Sequence, residues 1–78
     1  MTDQIKEAYY NIQRAMETYN MLLEHQVQVM RESEASDPIK LERLTMGAKA
    51  MRDSSMIYLS YAKFIAYGMP DSEELIEE

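Results

Sequence analysis

From residue 3 to residue 32 the apolar side chains recur at helical spacing, with no Gly or Pro to interrupt them. Setting Ile5 at heptad position a puts Ile5, Ile12, Tyr19 and Gln26 at a, and Ala8, Ala15, Leu22 and Val29 at d. Tyr9, Met16, Leu23 and Met30 occupy e, so Gln26 is the one polar residue on a broad stripe. That width suits a bundle helix better than the narrow seam of a two-stranded coiled coil. Lys6, Arg14, Glu17, Glu24 and Arg31 lie off the stripe. Thr2 or Asp3 is placed to cap the start.

Ser33-Glu34-Ala35-Ser36 breaks the pattern, and Asp37-Pro38 restarts it, Asp37 as an N-cap and Pro38 at the first helical position. The second helix is expected over about 38–67, ending at Gly68 in the left-handed conformation with Pro70 beyond. Two helices of matched length joined by a short turn over 33–37 predict an all-α antiparallel hairpin with no overhang. Reversal at the middle of that turn pairs positions whose numbers sum to about 70. Ile5 then faces Ile65, Ala8 Ala62, Ile12 Tyr58, Ala15 Ser55, Tyr19 Met51, Leu22 Ala48 and Val29 Leu41.

The second helix carries two apolar stripes. Leu41, Leu44, Ala48, Met51, Ser55, Tyr58, Ala62 and Ile65 are expected to meet the first helix. Ile39, Met46, Ala50, Ile57, Tyr61 and Phe64 form the other, roughly 140° away at helical spacing. Residues 54–67 are consequently apolar on nearly every side, and one partner helix covers only part of that surface. The second stripe is therefore the expected oligomer interface, closing two hairpins into a four-helix bundle dimer or building a higher oligomer.

Composition points the same way, since 78 residues make a single small domain, near the size at which a core needs help from metals, disulfides or oligomerisation. The chain has no Cys, which leaves self-association. Its net charge of −6 is unevenly spread: residues 71–78 hold five acids, whereas residues 1–70 hold nine acids against eight bases. The acidity belongs to a C-terminal tail, expected to be flexible or a short helical turn, in which Leu75 and Ile76 are the apolar residues. Residues 1–7 lack a basic segment leading into an apolar run, and no window is apolar enough to span a membrane. A cytoplasmic protein without a membrane span is expected.

Candidate chemistry is sparse. Glu7, Glu17, Glu24, Glu32 and Glu42 fall on polar faces, where no apolar pocket separates their proton affinities for acid–base work. His25 is the single histidine, with neither a Cys nor a second His to build a metal site around it. Glu24 adjoins it directly, so the Glu-x-x-His spacing of di-iron bundles is absent. Ser54, Ser55 and Ser60 lack a base placed to activate them, and Met46, Met51 and Met56 point to three sides of one helix. These residues predict no enzyme, no metal and no cofactor.

Tyr9, Tyr10, Tyr58, Tyr61 and Tyr67 gather near the open end of the expected hairpin. Tyr10, Met21 and Tyr67, with Leu75 and Ile76 of the tail, are the candidate contacts for a partner or ligand. In shape such a hairpin dimer resembles the small plasmid-encoded Rop-type regulators, which implies RNA as a possible partner. Arg14, Arg31, Arg43, Lys49 and Arg52 are nevertheless interspersed with acids, an arrangement that argues against a nucleic-acid face. The leading expectation is a non-enzymatic interaction or regulatory protein, an assembly chaperone, adaptor or inhibitor, that binds itself and an unidentified protein. A nucleotide or small-ligand sponge with a tyrosine-rich pocket between subunits and a Rop-like RNA-binding regulator are the alternatives.

Overall fold

The computed structural model describes residues 3–70, an all-α hairpin of α1 (Asp3–Glu32) and α2 (Pro38–Ala66). The acids, small residues and caps at the ends explain where each helix starts and stops. Asp3 lies in the first turn of α1 and Arg31 in its last, each complementing the helix dipole. Asp37 caps α2 in extended conformation, its carboxylate accepting from the Ile39 N–H at 2.9 Å, with Pro38 at the start of the first turn. At the other end Gly68 adopts φ 85°, and the amides of Gly68 and Met69 donate to the carbonyls of Ile65 (3.0 Å) and Phe64 (2.9 Å). That pair of bonds is a Schellman motif, which satisfies carbonyls the helix leaves open.

The helices run antiparallel, and cross-helix bonds join Tyr10 to Tyr67, Asn20 to Ser55 and Glu24 to Arg52. Those numbers sum to 75–77, which corrects the pairing expected from a reversal at the centre of the turn. The turn is the reason. The Ser33 amide still donates to the Met30 carbonyl and the Ser36 amide to the Ser33 carbonyl, so the chain continues past the end of α1 before it reverses. Each α1 residue meets an α2 residue about six positions later than central reversal gives. α2 therefore overhangs α1 at the turn, and the first turns of α1 extend past the end of α2.

The shift turns both helices about their axes. On α1 the line facing α2 runs through Tyr9, Gln13, Met16, Asn20, Leu23, Val27 and Met30, all buried or half-buried. On α2 it runs through Leu41, Thr45, Ala48, Ser55, Leu59, Ala62 and Ala66. The expected a and d residues of α1 lie outside this seam: Ile5, Ala8, Ala15, Tyr19, Leu22, Gln26 and Val29 are exposed, and Ile12 alone among them is half-buried. Met51 and Tyr58, expected opposite Tyr19 and Ile12, are exposed too. Among the described residues the buried apolar side chains are Tyr9, Val27 and Ala66, accompanied by Ser55.

Both α2 caps carry measurable stability. Asp37→Ala should lower the unfolding free energy by about 1 kcal/mol through the lost N-cap bond. Gly68→Ala should cost about the same, because a Cβ is strained at positive φ. Urea titration followed by circular dichroism checks both.

Candidate interaction surface

One edge of the seam is polar. Arg52 donates to Glu24 at 2.9 Å, and Lys49 to Asp53 at 2.9 Å one turn away. The hydrogen bond from Lys49, and then its charge, hold the Asp53 carboxyl below its usual value. Both pairs are solvent-exposed and add little to stability. Glu24 and Arg52 border two shallow grooves, and Lys49 the first of them. One of about 440 Å³ lies among Val27, Gln28, Arg31, Thr45 and Met46, and another of about 340 Å³ among Glu17, Met21, Met56 and Leu59. Met21, Met46 and Met56 are each about two-thirds exposed along them.

At the open end the Tyr10 and Tyr67 hydroxyls bond at 2.8 Å, and Lys6 Nζ sits 4.9 Å from the centre of the Tyr67 ring. Tyr9 stacks at a tilt on Tyr10, with ring centres 5.4 Å apart. The structure thus joins two of the candidate partner residues, Tyr10 and Tyr67, through their own hydroxyls. Met21 belongs to the groove three turns along α1, roughly 16 Å away at 1.5 Å per residue. Leu75 and Ile76 lie outside the described residues.

The other edge of the seam is apolar. Going round α1 from the seam, away from Glu24, one passes Met16, Leu23 and Met30 and then reaches Ile5, Ile12, Tyr19, Leu22 and Val29. The corresponding direction on the antiparallel α2 leads from Leu44 and Ile65 to Met51 and Tyr58, and then to Gly47, Ser54 and Tyr61. These two lines flank the same side of the hairpin and make an open apolar face two helices wide. Leu22 is 58% exposed, Tyr58 54% and Met51 41%. None of the α1 positions 5, 8, 12, 15, 19, 22, 26 and 29 is charged, nor are the α2 positions from Leu44 to Ile65 on this side. The periodicity assigns Ile5, Ile12, Tyr19, Leu22, Val29, Leu44, Met51, Tyr58 and Ile65 to the contact between α1 and α2, and Tyr61 to the oligomer interface.

The residues expected to form the oligomer interface are mainly on the outside of α2. Ile39, Met46, Ala50, Ile57 and Tyr61 are exposed, Ile57 at 74%, while Phe64 is half-buried with its ring 6.0 Å from that of Tyr61. Tyr61 borders the apolar face just described. Met46 lies instead on the polar edge, lining the larger groove.

Mid-seam, Asn20 Nδ2 donates to Ser55 Oγ at 3.2 Å, and that hydroxyl donates to the Met51 carbonyl at 2.6 Å. Asn20 Oδ1 is buried with no hydrogen-bond partner. His25 is exposed on α1, and among the described residues no group of three or more His, Asp or Glu is placed to hold a metal ion. No helix of the described residues is long and apolar enough to cross a membrane. Neither a protein-family model, nor a curated protein sequence, nor a solved structure matches the chain.

The buried acceptor on Asn20 gives the seam a testable signature. Asn20→Leu should raise the unfolding free energy by about 1 kcal/mol, because it removes an unsatisfied polar atom while Ser55 keeps its bond to Met51. A lower urea midpoint in this variant would show that the amide bond to Ser55 outweighs the desolvation of Oδ1.

Proposed function

We propose that this chain is a non-enzymatic interaction protein, a helical adaptor, assembly chaperone or inhibitor that binds itself and a partner protein. The observation that carries the reading is the placement of its apolar side chains. Two helices that fold against each other ordinarily bury their largest hydrophobic residues between them. Here the seam is made largely of small or polar α2 residues, Ala48, Ser55, Ala62 and Ala66, while Leu22, Met51, Tyr58 and Ile57 lie open. Contiguous apolar surface of this kind marks a site of association.

Two surfaces share the work in this reading. The apolar side supports self-association, and the polar edge, with Met21 and Met56 beside Arg52 and with Tyr10 at the open end, receives the partner. Flexible methionine side chains suit such a role because they repack against irregular apolar shapes. The acidic tail adds Leu75 and Ile76 as a further apolar contact in a negatively charged setting. The ligand-sponge and RNA readings have less support. The hydroxyls of Tyr10 and Tyr67 bond to each other, and Lys49 and Arg52 are paired with Asp53 and Glu24.

Affinity capture from the native host tests the partner surface. Wild-type protein should retain a defined partner that Met21→Ala, Tyr10→Ala and a chain ending at Pro70 each retain at least several-fold less well. Equal recovery of the same proteins by all four forms would remove the polar edge and the tail from the reading.

A further inference from the structure

We infer that the open apolar side of the hairpin is the dimerisation face, and that its occupant is a second copy of this chain, seated about a two-fold axis near Tyr19, Leu22, Met51 and Tyr58. This deepens the self-association part of the proposed function and relocates it. The contact moves from the outer stripe of α2 to a face shared by both helices, so that α1 supplies half of the interface.

Size favours this occupant. The face runs from Ile5 to Val29 on α1 and from Leu44 to Ile65 on α2, about 37 Å and about 33 Å of helix about 10 Å wide, so it presents roughly 700 Å². A stable protein–protein contact uses about 800 Å² per partner. The outer stripe of α2 is one helix wide and would leave Ile5, Tyr19, Leu22 and Val29 of α1 in water. The two-helix face covers them along with Met51 and Tyr58.

Charge favours it as well. A two-fold contact sets each patch against a copy of itself, so any charge on the face would meet its like near the axis. The face is free of charge from Ile5 to Val29 on α1 and from Leu44 to Ile65 on α2, and Lys40 and Arg43 lie beyond it at the turn end. A lipid surface fits poorly, since interfacial helices are rimmed by Lys and Arg, whereas the bases bordering this face are Lys40 and Arg43 at its turn end alone.

A third observation comes from Gly47. It sits in the interior of α2, where glycine is less favourable than alanine, and a Cβ built there meets nothing within 4 Å. Packing within the hairpin gives no reason for it. On this face, one turn before Met51, a missing side chain lets a neighbouring helix approach closely.

Sedimentation equilibrium and urea unfolding of the full chain test the proposal. Wild type should sediment as a dimer at micromolar concentration, near twice 9.1 kDa, and its urea midpoint should rise with protein concentration. Leu22→Glu and Met51→Glu should each weaken the dimer at least 100-fold, whether the released chain stays folded or unfolds. Ile57→Glu, on the outer stripe, should leave it intact. Because the chain has no native cysteine, Leu22→Cys should form a disulfide-linked or bismaleimide-linked dimer rapidly, and Glu17→Cys should not. A monomer with a concentration-independent midpoint would overturn the proposal, as would dissociation by Ile57→Glu with Leu22→Glu and Met51→Glu still dimeric. Loss of partner capture with the dimer intact would instead bear on the polar edge alone.

Discussion

The narrowness of the seam between α1 and α2 is the constraint from which the rest of the hairpin follows. α2 meets α1 mainly through the short side chains of Ala48, Ser55, Ala62 and Ala66, with Leu41, Thr45 and Leu59 half-buried on the same line. Short side chains shield little beyond that line, where Tyr9, Val27 and Ser55 are buried and Asn20 bonds to Ser55. Larger side chains a quarter-turn away diverge from the opposite helix. On one side they end in ion pairs and methionines, and on the other in bare apolar surface.

The register that sets this line is fixed by local chemistry at the turn and by a polar bond in the middle. Ser33 and Ser36 extend the chain past α1 before Asp37 and Pro38 start α2, and that extra travel decides which α2 residue lies beside each α1 residue. Asn20 then has a hydroxyl opposite it at Ser55. A hydrogen-bonding pair inside a contact penalises slippage, because any other register would bury its amide against hydrocarbon. The two determinants agree, which is the consistency expected of a sequence that specifies one arrangement.

The elements were legible in the sequence for physical reasons that act locally. Asp37-Pro38 and Gly68 are strong boundary signals, since each satisfies or relieves a specific backbone group, and α2 starts at Pro38 and ends at Ala66, with Tyr67 as its C-cap just before Gly68. The facing residues were less legible. Periodicity shows which side chains avoid water but not which neighbour covers them, and α1 offered three adjacent apolar lines where the hairpin uses one. Gln13, Asn20 and Val27, on a line of mixed character, gave no signal of burial. Their importance arises from the small residues opposite, which a reading that pairs large with small at the wrong register assigns elsewhere. Of the candidate contacts, Tyr10 and Tyr67 come together because the true register places residue 67 beside residue 10, an encounter that central reversal does not give.

The width of the apolar arc on α1 thereby acquires a meaning that its period alone lacks. A helix with one neighbour needs a narrow stripe, whereas a helix at the corner of a four-helix bundle touches two neighbours roughly at right angles. On α1, the line through Tyr9, Met16, Leu23 and Met30 serves α2, and the lines through Tyr19 and Leu22 lie roughly 50° to 100° further round. α2 shows the same division, with Ala48 and Ser55 toward α1 and Met51 and Tyr58 beyond. Charge follows this geometry: Lys6, Glu17, Glu24, Lys49, Arg52 and Asp53 lie within or beyond the polar edge, and the opposite side carries none between its ends. Under the pairing proposed above, this sorting of charge would leave the uncharged side as a dry core and the polar edges free for other contacts.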